Sequence, residues 1–252
     1  MARLTIGVDI GGTKLRAGLV EGRKKIRKTV EFASQASQGK EAILAAVERG
    51  IRELWDERVS AIGVGIAGIT DHTKGTFVAG PNFSESFRNV PMARLLRTKF
   101  RRPVAIDNDV HCFTLAEATL GAGKGKRVVV GMTLGTGVGG GIAENGKILR
   151  GRDNAAGEFG HMVVSMGNET CSCGRRGHLE AYASGKAMQK LYADRTGKIL
   201  EAIEVEALKE HRWWNISDIE ASKEIFVPRM ISKLLKPIIE GKIPPNPIDA
   251  GT

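Results

Sequence analysis

The sequence predicts an α/β fold, because patterns typical of strands and of helices alternate along it. Residues 4–10 and 15–19 alternate apolar with smaller or polar side chains around Gly11-Gly12, which predicts a β-hairpin. Residues 40–55 place their apolar side chains on one helical face, and residues 60–66 return to a strand pattern. A helix is therefore inserted between strands.

The same alternation continues further along the chain. We predict helices at residues 92–100 and 112–120 and strands at residues 103–106 and 127–134. A further hairpin leads from residues 141–143 through a turn to residues 147–149. This succession indicates helices layered on a sheet.

Two segments share one plan of strand, glycine turn and strand, at residues 6–22 and 130–146. Glycines recur at an offset of 131 − 7 = 124 residues, which pairs Gly7 with Gly131, Gly11 with Gly135 and Gly22 with Gly146. We predict two α/β domains, residues 1–110 and 111–252, each with one glycine hairpin. A ligand is expected in the cleft between them.

The composition narrows the class of protein. The 252 residues are 42% hydrophobic and 26% charged, which is typical of a folded chain. The sequence contains no run of about 18 apolar residues, and its first eight residues lack the regions of a secretory signal. We therefore expect a cytoplasmic protein that does not bind membranes.

The formal net charge of +10 raises the question of a nucleic-acid partner. Lysine and arginine are scattered, however, with short clusters only at residues 23–28 and 97–102. Nucleic acid is therefore not the expected partner. A basic surface also attracts anionic metabolites such as nucleoside triphosphates.

The first glycine turn, Asp9-Ile10-Gly11-Gly12-Thr13-Lys14, is suited to an anion. Glycines let backbone N–H groups approach a phosphate, and the Thr13 hydroxyl adds a donor. Asp9 could hold Mg²⁺ through water. The alternative is a tight turn with an incidental acid.

The second glycine turn, residues 134–141, contains Gly135, Thr136 and Gly137. Its spacing of Gly135, Gly137 and Gly140 matches a dinucleotide-binding fingerprint, but that fingerprint requires a helix after the turn. Another hairpin follows instead, so we reject that interpretation. A Walker loop is excluded too, because no Gly-Lys-Ser/Thr follows these glycines.

The three cysteines are too few for a disulfide framework, and two of them stand in the triplet Cys171-Ser172-Cys173. A metal site is the better interpretation of this triplet. The alternative is a reduced surface loop in which Arg175 and Arg176 bind solvent or phosphate.

Five motifs in order resemble the ROK sugar kinases, from about residue 4 to about residue 188. They are residues 9–14 and 134–141, Asp107-Asn108-Asp109, Glu158-Phe159-Gly160-His161, and residues 171–178. The resemblance implies a two-domain actin-like (ribonuclease H-like) ATPase fold that closes on ATP and a sugar. It also implies a homo-oligomer, either a dimer or a tetramer.

The resemblance implies that Asp109 is the catalytic base facing the 6-hydroxyl of a hexose, and that Asn108 binds a neighbouring hydroxyl. In phosphoryl transfer a carboxylate mainly orients the nucleophile and accepts its proton late. An Asn-Asp pair that caps the following helix is the alternative, and both roles are compatible. Family members commonly carry Asn where this chain has His111.

The sugar-binding residues implied by the resemblance extend beyond this pair. Carboxylates accept hydrogen bonds from vicinal hydroxyls, while amides and imidazoles both donate and accept, so the set suits a polyol. For any single member a solvated surface role is the alternative. The implied residues are Gly68, Asn82, Asn108, Asp109, Glu158, His161 and Glu180. The segment Gly80-Pro81-Asn82-Phe83 resembles the glucokinase version of its loop, which makes glucose the first choice and N-acetylhexosamines the chief competitors.

The resemblance also implies a structural Zn²⁺ bound by His161, Cys171, Cys173 and His178. Two thiolates and two imidazoles are a suitable tetrahedral set and leave no open position for water. The family usually has a third cysteine where this chain has His178, and imidazole should retain the metal.

The C-terminal part departs from the family pattern and is predicted to be shortened. Of the 32 glycines, only Gly241 and Gly251 follow Gly197, so the late glycine-rich segment that cradles adenosine in the family is not found. Short helices and an extended strip are expected there. A shortened gene product, another phosphate donor such as polyphosphate, and a sugar-binding protein without turnover remain open. Because the hairpin begins the chain, a transcriptional regulator with an N-terminal DNA-binding domain is not expected.

Overall fold

The computed structural model describes residues 3–152 and 154–196. Its elements in chain order are β1 (Leu4–Ile10), β2 (Lys14–Glu21), β3 (Lys25–Ala33), α1 (Lys40–Glu53), β4 (Val59–Ile66), β5 (Ile69–Asp71), β6 (Thr76–Ala79), α2 (Met92–Phe100), β7 (Val104–Asn108), α3 (Asp109–Thr119), β8 (Val128–Leu134), β9 (Val138–Glu144), β10 (Lys147–Leu149), a 3-10 helix (Phe159–His161), α4 (Glu180–Ala183) and α5 (Gly185–Thr196). The predicted α/β fold is confirmed. The helices and strands predicted between residues 4 and 149 are present, and β3, β5 and β6 are additional.

The described residues form two compact units. The first unit contains residues 3–131 and 141–156 except residue 153, and the second contains residues 132–140 and 157–196. The two domains that we predicted, with a boundary after residue 110, stay a prediction. The helices and strip expected after residue 197 lie outside the described residues.

A five-stranded sheet is the centre of the first unit, with the strand order β3-β2-β1-β4-β7. β1 is antiparallel to β2 and parallel to β4, and β4 is parallel to β7. Its core is formed by alternate side chains of β1 and β4 together with the apolar faces of α1 and α2. Burial of this alternating face explains why the period-two pattern was visible in the sequence.

Parallel pairing brings the carboxyl ends of β1, β4 and β7 to one edge of this sheet. In register, Ile10 lies beside Ile66, and Ile66 lies beside Asn108. The chain leaves this edge into the first glycine turn, into Gly68 and into α3, respectively. Crevices outside the carboxyl ends of parallel strands commonly bind ligands.

The second hairpin belongs to a three-stranded sheet with the order β10-β9-β8. β8 begins 128 − 4 = 124 residues after β1, and β9 begins 138 − 14 = 124 residues after β2. Each hairpin is joined by three residues, 11–13 and 135–137. The strand, turn and strand layout predicted from the glycine offset is therefore confirmed.

The second unit has a small apolar core of Val138, Leu179 and Ala183, with Met132 and Val164 packed against it. Isolated β-bridges join Val163 to His178 and Thr170 to Arg176. In both described ranges, no helix is long and apolar enough to cross a membrane.

Candidate active site

The first glycine turn is held by its own backbone. The Gly11 N–H donates to the Lys14 carbonyl at 2.9 Å, and the Thr13 carbonyl accepts from the Ser34 N–H at 2.9 Å. A Cβ at Gly12 would lie only 2.7 Å from the Asn82 Cβ, so glycine is required for this approach. The turn therefore packs directly on Asn82, the predicted sugar-binding residue.

Lys14, which we expected to bind an anion of the ligand, pairs with Glu31 in this structure. Its Nζ lies 2.9 Å from Glu31 Oε1, and its side chain is 59% exposed. An exposed pair of this kind contributes little to stability.

Asp9 lies near the end of β1, between Arg16 on β2 and Gly65 on β4 in the sheet register. Its side chain remains accessible to solvent. Even so, partial burial raises the pKa of its carboxyl, and the charge of Arg16 opposes that rise. A single accessible carboxylate is compatible with a hydrated Mg²⁺ ion, which keeps most of its water ligands.

Asn108 ends β7 and caps α3. Its Oδ1 accepts from the backbone N–H groups of Val110 at 2.9 Å and His111 at 3.1 Å. Its Nδ2 donates to the Gly68 carbonyl at 3.1 Å. The capping role considered from the sequence is thus present, and the same side chain connects α3 to Gly68.

Gly68 has a φ of 137°, a backbone conformation that residues with side chains rarely adopt. A Cβ there would also lie 2.6 Å from the Ala79 carbonyl oxygen. The first unit therefore brings Gly68, Asn108 and Asp109 together at the carboxyl edge of its sheet.

Asp109 is the first residue of α3 and is partly buried. Burial raises the pKa of its carboxyl, a hydrogen bond from the Val110 N–H at 3.0 Å opposes the rise, and the charge of Asp9 adds to it. The charge of the neighbouring His111 also acts against the rise of this pKa.

Asp107 and its partners were not predicted as site residues. Asp107 Oδ2 lies 2.6 Å from the Arg150 guanidinium, and Oδ1 lies 3.3 Å from His111 Nδ1. The buried His111 ring also places Nε2 3.4 Å from the Ala156 carbonyl. Burial works to raise the pKa of Asp107, but the bonds from His111 and Arg150 outweigh it and lower the pKa. This network connects β7 and α3 to the segment 150–156.

Cys112 lies one helical turn beyond Asp109, and its Sγ would be 3.6 Å from a Cβ at Gly65. Loss of surrounding water and the charges of Asp107, Asp109 and Asp9 raise the pKa of its thiol to about 12. A thiol with this pKa is protonated at neutral pH and is a weak nucleophile.

In the second unit, the turn 135–137 is closed by a hydrogen bond from the Gly135 N–H to the Gly137 carbonyl at 2.9 Å. The Gly185 N–H, at the start of α5, donates to the Gly135 carbonyl at 2.8 Å. A Cβ at Gly160 would overlap the Val138 carbonyl, so the segment that carries Glu158 and His161 packs closely on this hairpin.

The predicted metal ligands lie together in this unit. Donor atoms of His161, Cys171, Cys173 and His178 all lie within 4.8 Å of one another. His161 Nδ1 is 3.5 Å from Cys171 Sγ, and His178 Nδ1 is 3.3 Å from Cys173 Sγ. Ligands of a tetrahedral Zn²⁺ ion are about 3.3–3.8 Å apart for bonds of about 2.0–2.3 Å. Two donor pairs therefore have the spacing of a zinc site, and the set of two thiolates and two imidazoles suits the chemistry of zinc.

The two acids predicted to bind sugar in this unit differ in environment. Glu158 is exposed at the start of the 3-10 helix. Glu180 is half-buried, and its Oε2 accepts from the Val138 N–H at 3.0 Å. Its Oε1 accepts from the Ser172 hydroxyl and lies 3.5 Å from Cys171 Sγ. Burial acts to raise the pKa of Glu180, but the bonds from Ser172 and Val138 outweigh it and lower the pKa.

Comparison with known proteins shows that the chain is similar in sequence to sugar kinases. A glucokinase of Thermotoga maritima is 39% identical over 186 residues, which are 73% of this chain and 58% of that protein. An N-acetyl-D-glucosamine kinase of Citrobacter koseri is 35% identical over 217 residues, which are 81% of this chain and 70% of that protein. The chain thus spans somewhat more than half of the length of the first relative.

A solved structure and a family profile agree with these relatives. The ROK family glucokinase of Streptomyces griseus, in complex with glucose and AMPPNP, matches with a TM-score of 0.66 and 38% identity, covering 77% of this chain and 62% of that one. The sequence profile of the ROK family matches residues 5–225. Because this match spans most of the 252 residues, the chain belongs to the ROK family.

Proposed function

We propose that this chain acts in the ATP-dependent phosphorylation of the 6-hydroxyl of a hexose, with glucose as the preferred sugar. The observation that carries the proposal is Asp109, a partly buried carboxylate at the start of α3 whose pKa is raised by burial. A base with a raised pKa accepts a proton more readily near neutral pH. Such a carboxylate suits an acceptor hydroxyl that must be oriented and then deprotonated.

The reaction would proceed by transfer of the γ-phosphoryl group to the hexose oxygen, with release of ADP. Asp109 would accept a hydrogen bond from the 6-hydroxyl, hold its oxygen in line with the phosphorus and take the proton late in the transfer. Asn108, which also connects to Gly68 at 3.1 Å, would keep the neighbouring hydroxyl in place. Asn82 would serve the same sugar from its position against Gly12.

The phosphate groups of the donor would be bound by the two glycine turns. We assign Gly11, Gly12, Thr13 and Lys14 to the first, and Gly135, Thr136 and Gly137 to the second, because glycine turns let a phosphate approach the backbone closely. Lys14 would exchange its exposed partner Glu31 for a phosphate. When bound with ATP and near Asp9, Mg²⁺ supplies positive charge that neutralises the phosphates.

The four-donor cluster of His161, Cys171, Cys173 and His178 would hold a structural Zn²⁺ ion. Four protein donors leave no position for a reactive water, so the ion would supply crosslinking and not catalysis. The cluster joins the loop 171–178 to the 3-10 helix, which begins just after Glu158 and ends at His161. Its function would be to hold His161 and Glu158 in place for the sugar.

N-acetylhexosamine phosphorylation is the second candidate. The relative from Citrobacter koseri carries that name and is 35% identical over 217 residues, close to the 39% of the glucokinase. The two activities differ only in the group at the 2-position of the sugar, while the base and the phosphate turns serve both. A sugar-binding protein without turnover is the third candidate.

A coupled assay that detects ADP separates these candidates. We expect turnover with glucose, Mg²⁺ and ATP, with a higher kcat/KM for glucose than for N-acetylglucosamine, N-acetylmannosamine or fructose. The assay is then repeated with polyphosphate in place of ATP, and the sugar phosphate is detected directly. This tests whether polyphosphate is the phosphate donor. Calorimetric binding of glucose with no turnover on either donor would favour the third candidate and contradict the proposed enzyme.

A further inference from the structure

Glu180 connects two loops of the second unit through opposite ends of its carboxylate. One oxygen accepts from the backbone N–H of Val138, the residue that follows the turn 135–137, at 3.0 Å. The other accepts from the hydroxyl of Ser172, which stands between the two cysteines of the metal cluster. Hydrogen bonds to an ionised carboxylate are stronger than those between neutral groups.

The second turn is shaped to accept this carboxylate. A Cβ at Gly137 would lie 2.6 Å from Glu180 Oε2, so a residue with a side chain would push the carboxylate off Val138. Glycine at this position therefore leaves room for the Glu180 carboxylate beside the turn.

Other contacts to the turn come from residues that lie near the four candidate metal ligands in the sequence. Gly160, next to the ligand His161, packs on the Val138 carbonyl, and Gly185 donates to the Gly135 carbonyl at 2.8 Å. Leu179 and Ala183, on either side of Glu180, pack with Val138 in the core of the unit.

We propose that Glu180 is a positioning residue that couples the metal cluster to the second phosphate turn, so that metal occupancy sets the affinity for the phosphate donor. The proposal rests on the proposed function only in assigning donor phosphates to this turn. It gives Glu180 a role that is distinct from contact with the sugar.

The coupling follows from the position of Ser172. When Cys171 and Cys173 bind a metal, the backbone between them is fixed, and the Ser172 hydroxyl is fixed with it. That hydroxyl orients Glu180, and Glu180 in turn orients the Val138 N–H and the turn before it. An ordered turn binds an anion more tightly because less conformational entropy is lost on binding.

Ser172→Ala is the decisive variant, since it removes the hydroxyl that bonds to Glu180 and leaves all four metal donors and Glu180 in place. Cys171 Sγ lies 3.5 Å from Glu180 Oε1, but it cannot donate a hydrogen bond once it binds a metal as a thiolate. Ser172→Thr retains a hydroxyl and should restore the connection. Ser165→Ala is the matched control, because Ser165 accepts a hydrogen bond from the Gly167 N–H within the same unit. Among the described residues, the side-chain hydrogen bonds of Glu180 are made with Val138, Cys171 and Ser172. Zinc content by elemental analysis accompanies each variant.

The first measurement is hydrogen exchange of the peptide that covers residues 132–140, on the full chain without nucleotide. Removal of zinc and Ser172→Ala should each accelerate exchange about fivefold, a factor expected for the loss of one hydrogen bond. Ser172→Thr and Ser165→Ala should match the unaltered protein. Equal exchange in the zinc-loaded Ser172→Ala variant and the unaltered protein would overturn the coupling.

The second measurement is calorimetric titration with Mg²⁺ and AMPPNP, followed by titration with glucose. Ser172→Ala should weaken the nucleotide by about fivefold and change glucose affinity much less. If the unaltered protein binds no nucleotide while hydrogen exchange still responds to Ser172→Ala, the turn is coupled to the metal site but does not bind the phosphate donor.

Should Ser172→Ala lose zinc, Glu180→Gln takes its place, because its amide nitrogen cannot accept the second hydrogen bond. Unchanged exchange in that variant contradicts the proposal.

Discussion

Asp109 is the residue on which the proposed chemistry depends. We expect Asp109→Asn to lower kcat by about a hundredfold or more, because an amide cannot accept the proton, and to leave sugar binding nearly intact. Steady-state kinetics and glucose titration measure the two effects separately. Asp56→Asn is the control, since Asp56 is a surface acid paired with Arg58 at 2.7 Å. Near-normal turnover of Asp109→Asn would remove Asp109 from the mechanism.

The pH dependence of turnover follows from the same carboxylate. Burial and the charge of Asp9 raise the pKa of Asp109 above the usual aspartate value of about 3.9. The base must be deprotonated, so kcat should fall as the pH decreases through that raised pKa. The measurement is the acidic limb of the kcat profile at saturating substrates. A limb with its midpoint at or below about 3.9 would show that Asp109 is not the titrating base.

At the scale of secondary structure elements, the Arg150–Asp107 pair connects the end of β7 to the segment 150–156. We expect Arg150→Met to destabilise the fold by about 2 kcal/mol, because Asp107 is left half-buried with one partner fewer. Urea denaturation measures the change, and the exposed pair Arg127–Glu144 gives the control variant Arg127→Met, with an effect near zero. Equal stability of the two variants would contradict the role of the pair.

The pH dependence of that loss has a definite sign. The folded protein lowers the pKa of Asp107, so the stabilisation is present above the pKa of the unfolded chain. It is lost as the pH falls through the lower pKa of the folded state. The difference between Arg150→Met and the unaltered protein should therefore shrink on acidification.

The proposed zinc site belongs to the same scale, because its four donors lie on the loop 171–178 and on the 3-10 helix. Elemental analysis should find one zinc per chain, and Cys171→Ser or Cys173→Ser should lose both the metal and thermal stability. Cys112→Ser is the matched control, since Cys112 lies outside the cluster. Metal-free protein with unaltered stability would contradict a structural zinc.

At the scale of the whole molecule, recognition of the donor depends on what contacts the nucleotide base. Within these 252 residues no glycine-rich adenosine segment follows Gly197, so we expect this polypeptide to bind ATP mainly through its phosphates. ATP and GTP should then bind with comparable, weak and Mg²⁺-dependent affinity, because contacts to phosphate do not read the base. Calorimetric titration of both nucleotides tests this. A preference for ATP well above about tenfold would indicate an adenine pocket.

Local sequence patterns predicted most of the first unit. The sequence shows the period-two pattern of β1 and β4 and the apolar face of α1. Each pattern arises because one side of a single strand or helix is buried. β3 was missed because it is an edge strand with mostly exposed side chains, several of them charged. Exposure removes the alternation on which strand prediction depends.

The sequence by itself determined the α/β fold, the two glycine turns and the motifs that place the chain in the ROK family. Each of these features depends on residues that are close together along the chain. Only the tertiary structure showed that Asp107 pairs with Arg150 and that Glu180 reaches Val138. The residues of the second pair are 42 positions apart, and their contact is set by how the elements pack. Hydrogen bonds between distant residues leave no local pattern, so only the folded chain reveals them.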